Sequence, residues 1–365
     1  MKILLLLPNL QAGGAERALL RIAKGEADRG HEVHLVILES HIEYAVPAGI
    51  SLHALRPPGV RMSGSWFGKW SSARRLRKWH ETVSAARPFD LIVASLPLTH
   101  EVSQLAGLPQ VWHQIANTPS AEISGLQKSN PRKAERRIAR YRRLYDGQLV
   151  TTVSDGVKED LEKLGIHPAK AVTIYNPFDF DEMRRAAKAD TPDLPREPYV
   201  LHVGRFAKQK RHDILLKAFA ASGIPHRLII LTRDVDVEGV SALVRAQGLE
   251  SRVTVSGFRE NLFPWYANAA ALILSSDFEG MPNVMVEALG VGTPVVSTDC
   301  PSGPREVLTG PLQRFLAPCG DAQALGARLR EAVETPPRID DAVVAPFGYE
   351  RSLDMFESLA KAGER

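Results

Sequence analysis

Two carboxylates, Glu279 and Glu287, stand in the run Ser275-Ser276-Asp277-Phe278-Glu279-Gly280-Met281-Pro282-Asn283-Val284-Met285-Val286-Glu287-Ala288. An apolar run, Ala269 to Leu274, precedes it and reads as a buried strand. A helical pattern follows. Pro282 suits its first position, where a missing N–H has no partner to lose. Glu279 then lies in the turn and Glu287 inside the helix. The backbone N–H groups of Gly280, Met281, Asn283 and Val284 surround the positive end of the helix dipole, which makes an anion site. A carboxylate on each side can accept hydrogen bonds from hydroxyls. A phosphate flanked by two polyhydroxylated groups fits that layout, and a nucleotide-sugar has it.

Other residues carry related chemistry. Gly13-Gly14-Ala15-Glu16-Arg17 follows the first strand pattern and opens a helix. Its glycines either admit a ligand phosphate to the backbone or simply make a tight turn. Arg205 follows the strand pattern ending at Val203, where a guanidinium can clamp a diphosphate. Lys210 stands at the next helix start, and Lys208 reads as solvated. His113 closes the short run Gln110-Val111-Trp112, and a structural role and a site role are equally open. Asp234-Val235-Asp236 reads as a solvated loop rather than a metal site. Gly290-Val291-Gly292 follows a helix and precedes a strand, the reverse of a dinucleotide fingerprint.

These residues need a scaffold. With 365 residues, 44% hydrophobic and 24% charged, the chain suits two soluble globular domains. Strand patterns at Lys2–Leu7, 32–38, 90–94, 110–112, 148–153 and 172–175 alternate with helical ones such as 16–29 and 155–163. That alternation predicts a parallel sheet covered on both faces. Prolines 192, 195 and 198 mark a linker. A second series follows, with strands at 199–203, 227–231, 252–255, 270–274 and 294–297. The expected fold is α/β, two Rossmann-like domains over 1–178 and 179–346, facing across a cleft. An amphipathic pattern near the end, with Leu353, Phe356 and Leu359 on one face, predicts that helix 347–365 packs back on the first domain.

The apolar run after Met1 is too short for a signal peptide and reads as a first strand. No run reaches the about 18 apolar residues of a membrane span. Two cysteines, Cys300 and Cys319, speak against a disulfide framework and for a reducing cytoplasm. The net charge of +4 is unevenly placed. Residues 61–80 hold six basic side chains and no acidic one, and 121–150 hold eight basic against three acidic. Trp66, Trp70, Ala73, Leu76 and Trp79 fall at spacings of three and four, an interfacial amphipathic pattern. Residues 132–145, with Ala134, Ile138, Tyr141 and Tyr145, repeat it more weakly and equally suit a packed helix with a solvated basic face. The first cluster favours an anionic membrane or a phosphorylated acceptor. No nucleic-acid motif accompanies the charge.

Taken in order, the motifs resemble those of the retaining glycosyltransferases of family 4, which have the GT-B architecture. The similarity rests on Gly13-Gly14-Ala15-Glu16-Arg17, Val153-Ser154-Asp155-Gly156-Val157-Lys158, Ile174-Tyr175-Asn176-Pro177, Val203-Gly204-Arg205 with Lys210, Ser256-Gly257-Phe258, Glu279 to Glu287, and Gly292-Thr293-Pro294-Val295-Val296. It implies that Arg205 and Lys210 bind the donor diphosphate, with Gly13 and Gly14 contacting it from the other domain. It further implies that Glu279 holds the donor sugar, Glu287 the ribose, Gly257 and Phe258 the base, and that His113 contacts the transferred sugar. The family works without a bound metal or cofactor, and cationic side chains with a helix N-terminus would replace the metal's charge.

Two departures stand out: Arg211 where the family has glycine after the lysine, and Leu231-Thr232-Arg233-Asp234 where it has a glycine-rich turn. Thr298 to Glu306 resembles members that use UDP-linked hexoses or N-acetylhexosamines. The resemblance therefore implies a hexose or N-acetylhexosamine transferase using a UDP-sugar. Its acceptor would be a glycan or glycolipid of cell-surface polysaccharide, at the inner face of the plasma membrane. A GDP-mannose-dependent transferase, a nucleotide-sugar epimerase of the same fold and a non-enzymatic sugar-nucleotide-binding subunit are the alternatives.

Overall fold

The computed structural model describes residues 1–11 and 13–363. The chain divides into two compact units, Met1–Pro177 with the segment from Glu350 onward, and Phe178–Tyr349. Phe178 groups with the second unit, and its N–H donates to the Phe347 carbonyl there at 3.1 Å.

The first unit is built on seven strands: β1 (Lys2–Leu7), β2 (Glu32–Ile37), β3 (Ile50–Ala54), β4 (Leu91–Ser95), β5 (Val111–Ile115), β6 (Leu149–Thr152) and β7 (Lys170–Thr173). They lie in the order β3-β2-β1-β4-β5-β6-β7, and every pairing is parallel. β1 is central, and all six of its residues are buried. That explains its unbroken apolar run, since a strand covered on both faces needs no alternation. Helices α1 (Gly14–Asp28), α2 (Trp66–Ser84), α3 (Pro97–Ala106), α4 (Pro119–Ser129), α5 (Pro131–Tyr145) and α6 (Asp155–Lys163) alternate with the strands. The last helix, Tyr349–Ala362, buries Leu353, Phe356 and Leu359 and carries Glu350, Asp354 and Glu357 to Arg29 at 2.5, 2.9 and 2.7 Å.

In the second unit, after α7 (Phe180–Ala186), come β8 (Tyr199–Val203), β9 (Arg227–Leu231), β10 (Val253–Ser256), β11 (Ala271–Leu274), β12 (Val295–Thr298) and β13 (Leu316–Ala317). Their order is β10-β9-β8-β11-β12-β13, again parallel throughout. The helices between them include α8 (His212–Ser222), α9 (Val237–Ala246), α10 (Phe263–Ala267) and α11 (Asn283–Gly290). Counted within each unit, the strand order begins 3-2-1-4-5-6. The order therefore reverses between β1 and β4, and between β8 and β11. Open α/β sheets bind ligands at such points, beyond the carboxyl ends of the strands.

β3 and β13 were absent from the expected strand set. β3 is an edge strand with no fully buried residue, and β13 is two residues long, so neither leaves a continuous apolar run.

Candidate active site

The loop after β8 and the loop after β11 meet at the reversal point of the second sheet. Lys210 closes a 3-10 turn, Lys208–Lys210, and its Nζ lies 2.6 Å from Glu279 Oε1. The Ser276 hydroxyl donates to the same oxygen at 2.6 Å, and Thr298 Oγ1 donates to the Ser276 carbonyl at 2.6 Å. Glu279 is 6% exposed. Hydrogen bonds to backbone carbonyls fasten the two loops together. Ser275 Oγ donates to the Lys210 carbonyl (2.7 Å), Asp277 N–H to the Gln209 carbonyl (2.9 Å), and Gln209 Nε2 to the Phe278 carbonyl (2.6 Å).

Arg211, in the position of the family glycine, has φ +47°, ψ +54°. Only glycine adopts that left-handed region freely, which explains the usual residue. Here the guanidinium is held by Asp213 (Nε, 2.9 Å) and Asp277 (Nη1, 3.0 Å). The Arg211 hydrogen bond in turn keeps the Asp213 carboxyl below its ordinary range. Under this loop, burial pushes His212 down to about 4, and burial with the nearby His212 pushes His202 well below its ordinary value. Both rings are neutral at neutral pH, so Arg205, Lys208, Lys210 and Arg211 supply the positive charge. Arg205 itself is exposed.

The strand–turn–helix around Glu279 forms as expected, with one shift. Pro282 is the cap and α11 begins at Asn283. The Asn283 N–H bonds the Met281 carbonyl at 3.0 Å, so it is not one of the open donors expected between Gly280 and Val284. Gly280, Met281 and Pro282 are buried, and Asn283 and Val284 partly so. A loop after β12 covers them. Glu279 N–H donates to the Pro301 carbonyl at 3.3 Å, and a Cβ on Gly303 (φ +87°) would come within 2.4 Å of Pro282 Cδ. Glu287 lies inside α11, 3% exposed, and accepts from Tyr266 OH at 3.1 Å.

At the carboxyl ends of β9 and β10, both carboxylates of Asp234-Val235-Asp236 have structural partners. Asp234 Oδ1 accepts the Phe258 N–H at 3.0 Å and would collide with any Cβ on Gly257. Asp236 is forked by Arg233 at 2.7 and 2.9 Å and accepts the Phe206 N–H at 3.0 Å. The aspartates thus tie together three loops where the family has a glycine-rich turn. Phe258 is half-exposed beside them. Among the described residues, one group could hold a metal ion by the spacing of its donor atoms: Glu26, His31 and Glu357, in the first unit. The Arg29 guanidinium already lies against Glu357 there.

In the first unit, Gly13 caps α1 and Gly14 is its first residue, as the glycine pair suggested. His113 corrects the sequence reading. β5 continues through Gln114 and Ile115, which pair with Thr151 and Thr152 of β6, so His113 is mid-strand rather than at the carboxyl end. It is 1% exposed and packs against His100 and Tyr145, with ring centroids 5.0 and 6.4 Å away. Burial pushes it down to about 4. This is a neutral core imidazole, and the expected contact with a sugar is not offered from that position.

The two basic segments also separate. In α5, Ala134, Tyr141 and Tyr145 are buried, Tyr141 OH donates to Glu122 at 2.7 Å, and Arg140 pairs with Glu101 at 2.7 Å. It is a packed helix with a basic outer face. In α2, Ala73 and Leu76 are core residues and Trp79 packs beside them, whereas Trp66, Phe67 and Trp70 stand exposed.

Comparison with known proteins agrees with this geometry. A model described as Glycosyltransferase Family 4 matches residues 12–182, and one described as Glycosyl transferases group 1 matches 197–335. The chain belongs to the family 4 glycosyltransferases. It is 33% identical over 160 residues to the Campylobacter jejuni N-acetylgalactosamine-N,N'-diacetylbacillosaminyl-diphospho-undecaprenol 4-alpha-N-acetylgalactosaminyltransferase, covering 44% of this chain and 43% of that protein. It is 32% identical over 164 residues to the Salmonella typhimurium lipopolysaccharide 1,6-galactosyltransferase, covering 43% and 44%. The matched stretches thus span less than half of either relative. Among solved structures, the Anabaena protein HepE in complex with UDP and glucose aligns with a TM-score of 0.77 at 20% identity, over 99% of this chain and 100% of that one. That likeness establishes the GT-B fold.

Several residues of the candidate site were not singled out from the sequence. Ser276, Gln209, Asp277 and Tyr266 hold the site residues in place, and Gly303 lets a loop lie on Pro282. A pair of hydroxyls directly after a buried strand, Ser275-Ser276, was the available signal. Gly303 and Tyr266 carried none, because their contacts depend on distant elements.

Proposed function

We propose that the chain is a retaining, metal-independent glycosyltransferase that moves a hexose or N-acetylhexosamine from a UDP-sugar to a glycan or lipid-linked acceptor. The observation that carries this reading is the Lys210–Glu279 pair, 2.6 Å apart at the strand reversal point. A cation suited to phosphate and a carboxylate suited to sugar hydroxyls are adjacent, as the glycosyl–phosphate bond requires. In this reading Lys210 and Arg205 take the diphosphate, Glu279 the sugar, Glu287 the ribose, and Gly257 with Phe258 the base. UDP is favoured because the structurally similar HepE was crystallised with UDP and glucose.

The transfer breaks the bond between the anomeric carbon and the phosphate oxygen. The acceptor oxygen bonds that carbon from the same face, and its proton passes to the departing phosphate oxygen. Lys210 and Arg205 offset the charge that develops on the leaving UDP. Glu279, engaged by Lys210 and Ser276, is arranged to hold hydroxyls rather than to attack. The acceptor class follows the relatives, whose names refer to an undecaprenol diphosphate and to lipopolysaccharide. Peripheral association with a membrane at the cytoplasmic side is part of the reading.

The test is a panel of nucleotide-sugars scored first by thermal shift, since a bound ligand raises apparent stability, then by UDP release with and without chelator. A UDP-hexose or UDP-N-acetylhexosamine should stabilise the protein and turn over in chelator. Glu279→Ala and Lys210→Ala should each lower turnover by at least about a hundredfold. Variants with wild-type rates would refute the site. GDP-mannose as the sole stabilising donor, or isomerised donor without transfer, would replace the reading.

A further inference from the structure

We propose that the amino-terminal tip of α2 is a docking element for an anionic lipid surface, entered by Trp66, Phe67 and Trp70. The inference deepens the reading of a membrane-side glycosyltransferase, on which it rests, by naming the element that makes the contact.

Three observations support it. First, Trp66, Phe67 and Trp70 are 60%, 74% and 43% exposed, and they cluster, with ring centroids 5.1 Å apart for Trp66–Phe67 and 6.3 Å for Trp66–Trp70. The stripe read from the sequence divides here. Ala73 and Leu76 are spent on the core, so the aromatic end alone is available. Ser65 caps the helix, its hydroxyl accepting the Gly68 N–H at 3.3 Å, which holds the aromatic turn in helical form. Tryptophan and phenylalanine rings favour the interfacial zone of a bilayer.

Second, the flank is cationic. Arg61, Arg74, Arg75, Arg77 and Lys78 are exposed, and no acidic residue lies between 61 and 80. Lys69 is the exception, neutralised by Glu101 at 2.5 Å. Arg75 and Arg77 bond backbone carbonyls of Leu55 and Ala106, and among the described residues neither forms an ion pair. Arg74 lies 5.0 Å over the Trp70 ring. Basic side chains beside an interfacial aromatic turn are the complement of phosphate headgroups.

Third, the apolar area is small. At these exposures the three rings present roughly 400 Å². A standard protein interface takes about 800 Å² from each partner. A bilayer has no such minimum, because each inserted ring contributes separately.

The experiment is flotation of the whole protein with phosphatidylcholine vesicles, with and without about a third phosphatidylglycerol. The protein should float with the anionic vesicles at low salt, less so at ~0.5 M salt, and its tryptophan emission should shift to the blue. The combined variant Trp66→Ser, Phe67→Ser, Trp70→Ser should lose at least about tenfold in partitioning. Arg61→Gln with Arg74→Gln and Lys78→Gln should remove the salt dependence. These side chains are exposed, so circular dichroism and the thermal midpoint should stay at wild-type values. UDP-sugar hydrolysis should be retained in the aromatic variant. Wild-type protein that does not float at low salt, or an aromatic variant that floats as well as wild type, would overturn the proposal. So would a salt-insensitive dimer dissolved by the aromatic variant, which would assign the tip to a second copy. Flotation without sugar-nucleotide turnover would leave this proposal standing and remove the donor reading instead.

Discussion

Arg211 shows what a single residue can trade. Its backbone sits in the left-handed region, at a cost of about 1 kcal/mol for a residue with a Cβ. Its side chain ties Asp213 to Asp277, and so the β8 loop to the β11 loop. Those ion pairs are partly exposed and contribute no more than about 1 kcal/mol. Arg211→Gly loses the pairs but also the strain, so its unfolding free energy should stay within about 1 kcal/mol of wild type. Arg211→Ala keeps the strain and should be less stable than Arg211→Gly by about 1 kcal/mol. Urea midpoints of the two variants decide the matter, and equal midpoints would contradict the backbone argument. His113 teaches the converse at the same scale. A histidine after Val-Trp looked like a strand end, yet pairing of Gln114 and Ile115 with β6 moved it into the core. Strand ends depend on the partner strand, which the local sequence does not contain.

At the scale of elements, the strands buried on both faces were legible. β1, β8 and β9 run over the residues their apolar runs indicated. The edge strand β3 was not, because burial is what writes a pattern and β3 has little of it. Helix contacts were equally hidden. α8 lies against the helix Ala322–Glu334 so closely that a Cβ on Gly326 would stand 2.5 Å from the Ala218 carbonyl oxygen. That backbone oxygen cannot swing away as a side chain would. Gly326→Ala should therefore destabilise the second unit by about 1–3 kcal/mol, read as a lower urea midpoint with the fold retained. An unchanged midpoint would mean that the two helices can part at little cost. Better helix propensity alone would have led one to expect stabilisation.

At the scale of the molecule, the last helix is held to the first unit by apolar residues and by the three acids around Arg29. Beneath them lies Glu26, fully buried, with neither carboxyl oxygen hydrogen-bonded. Burial, aided by Glu357, raises it from the ordinary 4.5 to about 8. The folded protein then keeps this proton up to about pH 8, whereas the unfolded chain releases it near 4.5. Across that window the native state binds more protons, so this group lowers stability as pH rises. Glu26→Gln should raise the thermal midpoint relative to wild type by more at pH 9 than at pH 5. An equal difference at both values would exclude a buried, protonated Glu26.

The chain's local order determined that the two series of strands are parallel and covered, and that Glu279 lies in a turn with Glu287 on the helix after it. Those follow from apolar runs, a proline and a few glycines acting on their neighbours. It also placed Arg205 and Lys210 just beyond a strand. That Lys210 meets Glu279 across 69 residues of sequence was decided by the tertiary structure. The same holds for His113 being core and for three aromatics of α2 facing outward while Ala73 and Leu76 face inward. Each outcome depends on which surface a distant element covers, and burial by a distant element leaves no trace in the spacing of near neighbours.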